Sequence, residues 1–284
     1  MIITRRAALI SALCACVTRA AFSADTMAAG LAELEHESGG RLGVCALDIE
    51  SGRTLLSQRE HERFAMCSTF KLLLAGALLA KVDAHALDLT QSVKFTRDDL
   101  LSYAPATSAR VNDGAMTLEE LCSAMVTVSD NTAANLLLPL VDGPQGLTRW
   151  LRTLDDQVTR LDRNEPELNS NLPGDLRDTT TPHAMAQTTA RLLKGNVLAK
   201  ASRERLKAWM VAADTGVRRI RAGVSKDWVV GDKTGTGANG AVNDVAIAWP
   251  PGRAPIVVAI YMSGSTRPTS ELETIQARTA GLLV

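Results

Sequence analysis

Aromatic residues are scarce in this chain of 284 residues: Phe, Trp and Tyr together make up 4%. That leaves no platform on which successive nucleobases would stack. Net charge is missing too. The 31 Lys and Arg balance 31 Asp and Glu, so neither a nucleic-acid stripe nor a polybasic membrane surface is expected. The four histidines, His36, His61, His85 and His183, show no zinc-ligand spacing. His61-Glu62 lacks the second histidine of an HExxH helix. No G-x-S-x-G occurs, which removes the nucleophile elbow of α/β-hydrolases. Cysteine is rare, and only Cys45, Cys67 and Cys122 follow the N-terminal segment. An odd number in partly apolar surroundings argues against a disulfide framework, so the fold must rest on a packed core.

What is present begins with an export pattern. Arg5-Arg6 precedes the apolar run Ala7 to Val17, and small residues follow at Ala20-Ala21-Phe22-Ser23-Ala24. A charged region, a short apolar region and a cleavage zone read as a signal peptide over residues 1–24, by a general or a twin-arginine route. The run is too short to span a bilayer. The remaining residues 25–284 are expected to form one periplasmic or secreted domain, monomeric and without a membrane anchor. Apolar residues at 46% and charged residues at 22% suit a globular enzyme.

Strand patterns cover Leu42–Ile49, Arg53–Gln58, Trp228–Gly231, Val242–Trp249 and Ile256–Ser263, each rich in branched residues or bounded by turns. Residues 96–215 are mainly helical in pattern. Thr117 and Glu120 form a capping box, and helices are expected to begin at Pro182 and Ser202 and to close the chain over Ser270–Leu283. The run from Thr69 is apolar almost all round, as in a buried helix. The aperiodic stretch Arg163 to Asp178 reads as a structured loop. The expectation is an α/β fold of the α+β type: an antiparallel sheet built from both chain ends (about 25–60 and 216–284) with flanking helices, an inserted all-helical region (about 61–215), and the active site between them.

Three short motifs carry chemistry. In Ser68-Thr69-Phe70-Lys71, a serine at a helix start shares a face with a lysine three residues on, and a neutral amine there can take the hydroxyl proton. In Ser129-Asp130-Asn131, a hydroxyl and an amide stand where a helix cap would also use them. In Lys233-Thr234-Gly235, a cation and a hydroxyl suit a carboxylate, and glycine admits a ligand close to a strand. Each alone is as easily a cap, a turn or a solvated lysine. Together and in this order they are the established signature of class A β-lactamases and penicillin-binding proteins.

The mature chain resembles a class A serine β-lactamase throughout. Arg163-Asn164-Glu165-Pro166-Glu167-Leu168-Asn169 and Arg177-Asp178-Thr179-Thr180-Thr181-Pro182 match that family's omega loop and the segment after it. The resemblance implies hydrolysis of penicillins and cephalosporins, antibiotic resistance, small-molecule substrates only, and no cofactor or metal. It makes Ser68 the nucleophile, and leaves Lys71 or Glu165 as the acylation base. Glu165 with Asn169 would activate the deacylating water, and Ser129 would return a proton to the ring nitrogen. Asn131 would bind the acylamido side chain, Lys233, Thr234, Gly235 and Thr236 the carboxylate, and Tyr103 would wall the cleft. It also implies an Arg163–Asp178 ion pair and a cis bond at Glu165-Pro166. Two departures stand out. The arginine many members carry after the third motif is missing from Gly240-Ala241-Val242-Asn243, and Arg219 is the candidate replacement, with Arg218 and Arg221 read as a solvated basic run. Cys67 and Cys122 face Gly237 and Ala75 in the family pattern, so no disulfide is expected.

Overall fold

The computed structural model describes residues 25–284; the expected signal peptide lies outside the described residues. The described chain opens with helix α1 (residues 25–38) and a hairpin of β1 (Arg41–Asp48) and β2 (Thr54–Gln58). The short strand β3 (Phe64–Ala65) leads through a 3₁₀ turn at Cys67–Thr69 into α2 (Phe70–Asp83). There follow β4 (Ser92–Lys94), α3 (Pro105–Ala109), β5 (Ala115–Thr117), α4 (Leu118–Thr127), α5 (Asn131–Leu137) and α6 (Gly143–Thr153). A long loop then reaches β6 (Thr179–Thr180), α7 (Pro182–Lys194), α8 (Lys200–Val211) and α9 (Ile220–Gly223). The chain closes with β7 (Val229–Thr236), β8 (Val242–Trp249), β9 (Ile256–Ser263) and α10 (Thr269–Gly281).

Both chain ends build one antiparallel five-stranded sheet in the order β2-β1-β9-β8-β7. Its inner strands β1, β9 and β8 are buried on both faces because both are covered. In β9, Val257, Ala259 and Tyr261 join the core shared with the helical block, while Ile256, Val258, Ile260 and Met262 join the core under α1 and α10. This is the two-residue period of a strand read against two layers of helix. The expected fold class is the observed one. Inside the helical block, α2 is buried from Phe70 through Leu79, which explains an apolar run with no polar face. Thr117 caps α4, accepting from the Glu120 N–H while the Glu120 carboxylate accepts from the Thr117 N–H.

Besides shifts of one or two residues at the ends of β1, β2 and α10, three boundaries differ from the sequence reading. β7 runs through the third motif to Thr236 instead of ending near Gly231, since its register with β8 continues to Thr236↔Val242. Ser68 sits in the 3₁₀ turn that precedes α2. α8 starts at Lys200, so Ser202 is inside it, where its hydroxyl donates to Asp83 at 2.6 Å.

Candidate active site

The turn before α2 meets the end of β7 at close range. A Cβ on Gly235 would fall 2.7 Å from the Met66 carbonyl and 3.2 Å from the Ser68 nitrogen, so only glycine lets this edge strand lie against the serine. Cys67 has φ +46° and Ser129 φ +59°. Left-handed backbone at non-glycine residues is costly and persists where surrounding structure enforces it. Here it occurs at Ser129 and beside Ser68, the two serines of the site.

Lys71 lies one turn into the structure from Ser68, fully buried. Its ammonium donates to Ser68 Oγ at 3.0 Å, the Ser129 carbonyl at 2.8 Å, Ser129 Oγ at 3.4 Å and Asn131 Oδ1 at 2.5 Å, and stands 3.0 Å from Glu165 Oε1. Burial holds its pKa below the ordinary lysine value of 10.5, and the Glu165 charge partly opposes that shift. Ser68 Oγ donates to the same Glu165 Oε1 at 3.2 Å. Nucleophile, amine and carboxylate therefore form one tight triangle.

Glu165 is delivered by the loop between α6 and β6. Asp178 closes its neck: one carboxylate oxygen accepts from the Asp162 and Arg163 N–H groups at 2.7 and 2.9 Å, the other from Arg163 Nε at 2.6 Å. The expected Arg163–Asp178 pair is thus present, and the Glu165-Pro166 bond is cis. β3 pairs with β6, and Met66 N–H donates to the Asp178 carbonyl at 2.8 Å, which locks the loop's exit to the chain entering Ser68. Asn169 Nδ2 donates to Glu165 Oε2 at 2.5 Å, while Asn169 Oδ1 is a buried acceptor without a partner among the described residues.

On the sheet side, Lys233 is fully buried and donates to Ser129 Oγ at 3.0 Å and the Thr234 carbonyl at 2.8 Å. Burial, then the nearby Lys71 charge, push its pKa well below 10.5. Ser129 Oγ is therefore flanked by two lysines. Arg219 is buried and points inward, donating to the carbonyls of Gly235 and Asn243 at 3.1 and 2.7 Å, to Thr236 Oγ1 at 2.8 Å and to Glu273 at 3.2 Å. Of its neighbours, Arg218 is solvated as expected and Arg221 is not. Arg218 is exposed but pairs with Glu273 at 2.8 Å, and Arg221 pairs with fully buried Asp232 at 3.1 Å.

These groups surround a cleft of about 490 Å³ lined by Ser68, Tyr103, Ser129, Asn131, Asn169, Thr234, Gly235, Thr236 and Arg219. Tyr103 is half exposed on its wall. Lys71, Lys233 and Glu165 sit behind that surface, buried. A larger cavity, about 610 Å³, is lined by Arg41, Arg63, Leu176 and Arg177 and contains no serine–lysine pair. Every site residue expected from the sequence converges on the smaller cleft or the layer beneath it.

Three supporting residues, Asn135, Thr215 and Asn243, had no role in the sequence reading, and Asp130 takes the capping role that its motif allowed. Asn135 holds Glu165 by two bonds, accepting from its N–H at 3.0 Å and donating to its carbonyl at 2.8 Å. Its position four residues after Asn131, on one helix face, was the available signal. Asp130 caps α5 and also accepts from the Ala106 and Thr107 N–H groups at 2.9 Å. Thr215 accepts from Thr234 Oγ1 at 2.7 Å, and Asn243 Nδ2 donates to the carbonyls of Ala65 and Met66 at 2.9 and 3.1 Å. The last two have no local sequence signal, being set by contacts remote in the chain.

The three cysteines among the described residues are free and buried. Cys67 does face Gly237, where a Cβ would lie 2.7 Å from its sulfur, and burial pushes its thiol up to about 12.

Comparison with known proteins agrees with this geometry. The model of the β-lactamase enzyme family matches residues 26–282. β-Lactamase AST-1 of Nocardia asteroides is 53% identical over 234 residues, covering 82% of this chain and 75% of that protein. β-Lactamase CTX-M-8 of Citrobacter amalonaticus is 46% identical over 244 residues, 86% of this chain and 82% of its own. An ancestral class A β-lactamase structure superposes with TM-score 0.88 at 52% identity, covering 90% of this chain and 98% of that one. A β-lactamase from Xanthomonas campestris gives TM-score 0.90 at 47% identity over 92% and 97%. This chain belongs to the β-lactamase enzyme family and is a class A serine β-lactamase, an enzyme that hydrolyses β-lactams.

Proposed function

We propose that the enzyme opens the ring of penicillins and cephalosporins through an acyl-Ser68 intermediate. The observation that carries this reading is the triangle of Ser68 Oγ, Lys71 Nζ and Glu165 Oε1, with sides of 3.0, 3.0 and 3.2 Å. Ser68 Oγ gives its proton to Lys71 or to Glu165, both within hydrogen-bond reach, as it attacks the ring carbonyl. The backbone N–H groups of Ser68 and Thr236 take the developing oxyanion. As the ring C–N bond breaks, Ser129 passes a proton to the nitrogen, drawing on its two flanking lysines.

The second step consumes water. Glu165 accepts one of its protons, and Asn169 Oδ1, an unpartnered acceptor beside that carboxylate, orients it toward the ester. Lys233, Thr234, Gly235, Thr236 and Arg219 form the substrate's carboxylate site, Asn131 binds the acylamido group, and Tyr103 lines the wall. The protein acts as an exported monomer. Among the described residues no helix is long and apolar enough to cross a membrane.

Penicillin mixed with wild type and Ser68→Ala, followed by intact-protein and peptide mass spectrometry, tests the reading. The expected result is an adduct on the Ser68 peptide in wild type and neither adduct nor turnover in the variant. An adduct on another residue, or substantial hydrolysis by Ser68→Ala, removes the mechanism.

A further inference from the structure

Away from the cleft, Cys45 on β1, Glu60 between β2 and β3, and His183 in the first turn of α7 bring a sulfur, a carboxylate oxygen and a ring nitrogen within 4.8 Å of one another. None belongs to the catalytic set. We propose that these three side chains form a binding site for one divalent transition metal ion of the zinc class.

The donor set is the first support. Thiolate, imidazole and carboxylate are the ligands such ions select over hard oxygen-only cages. The second support is spacing. With metal–nitrogen and metal–oxygen bonds of about 2.0–2.2 Å, a tetrahedral ion places N and O roughly 3.3–3.5 Å apart. Glu60 Oε2 and His183 Nδ1 are 3.4 Å apart. Third, apart from that contact with each other and the Cys45 thiol beside the Glu60 carboxylate, neither atom has a hydrogen-bond partner among the described residues, so the polar groups of the cluster face one another.

The scaffold is rigid where it needs to be. Cys45 is locked in the sheet, paired with Ser57 and Ala259, and the His183 N–H donates to the Glu60 carbonyl at 3.0 Å, which fixes two ligands by backbone. Cys45 is fully buried, while the Glu60 and His183 side chains are 23% and 35% exposed, so the ion enters from their side. A fourth position is left for water or for His61, whose ring lies 4.8 Å from that of His183. Binding forms the metal–sulfur bond as the Cys45 thiol releases its proton to solvent. The bound ion would staple β1 to the segment entering Ser68 and to the helix that follows the Glu165 loop.

The test uses the whole exported enzyme, stripped with chelator and then dialysed against zinc sulfate. Wild type should retain one zinc per chain by elemental mass spectrometry, and its thermal midpoint should rise with zinc. Cobalt(II) substituted at the site should give tetrahedral visible bands and a near-ultraviolet thiolate charge-transfer band. The charge-transfer band should vanish in Cys45→Ser, and His183→Gln should weaken cobalt affinity by more than ~10-fold, as loss of even an outer partner often does. Hydrolysis should persist in both variants and after chelation. Folded wild type that retains no zinc and gives no cobalt spectrum overturns the proposal, and that measurement needs no variant to fold. Unchanged cobalt binding in both variants overturns it equally, since the ion would then sit elsewhere.

Discussion

The two buried lysines of the cleft, Lys71 and Lys233, have similar surroundings and different partners. Both are wholly buried, both touch Ser129 Oγ, and burial lowers the pKa of each. Lys71 has a carboxylate at 3.0 Å; Lys233 has no ion-pair partner among the described residues, and burial and the Lys71 charge outweigh the Asp232 and Asp244 charges that act on it. A buried amine beside a carboxylate can trade protons with it. A buried amine without one is a cation site short of its anion, and on the proposed mechanism the β-lactam carboxylate supplies it.

The comparison breaks most severely at Glu165. Glu165→Ala should cut kcat by about 10²–10⁴, the usual worth of a general base, while acylation continues through Lys71. Stopped-flow mixing should show a burst followed by an accumulated acyl-enzyme. Rapid steady turnover without accumulation would refute the assignment. Next come the lysines themselves. Lys71→Ala should slow acylation with little change in KM. Lys233→Ala should act mainly on KM, losing about 1.5–3 kcal/mol of a charged hydrogen bond. Matching kcat and KM patterns in the two variants would show that they do the same job.

Arg219 and Arg221 sharpen the contrast between a cation serving the site and one serving the fold. Arg219→Ala should raise KM, because the guanidinium supports Thr236 and the β7 carbonyls from beneath. Arg221→Ala should leave KM alone but cost about 3 kcal/mol in urea unfolding, by stranding the buried Asp232 carboxylate. Equal kinetic losses in both would erase the distinction.

The smallest effect is a pH dependence. Binding an anion favours the protonated form of Lys233, whose pKa in the free enzyme is lowered. Affinity for a carboxylate-bearing substrate should therefore be full below that value and weaken as pH rises through it, at a point below the ordinary 10.5. Lys233→Arg, which stays charged, should flatten this limb in a plot of log KM against pH. A limb unchanged in Lys233→Arg assigns it to another group.

Much of this was legible in the chain itself. Strand β9 spans Ile256–Ser263 as its branched residues indicate, and α4 begins at the Thr117 cap, because alternation and capping are local and depend on a few neighbouring side chains. The three motifs, Glu165 and Asn169 were nameable from order and resemblance. Other features are decided only by packing. β7 outruns its apolar stretch because β8 supplies partners as far as Thr236, an energy no local window contains. Arg221 reads as solvated in sequence but meets Asp232, eleven residues on, across a buried contact. Cys45, Glu60 and His183 have no motif spacing, yet the sheet and α7 set them side by side. The sequence by itself determined the main strands and helices and which residues are candidates for the chemistry; the tertiary structure decided how far β7 runs, which charges are buried, which are paired and which still lack a partner, because desolvation and strand pairing depend on what surrounds a group in space.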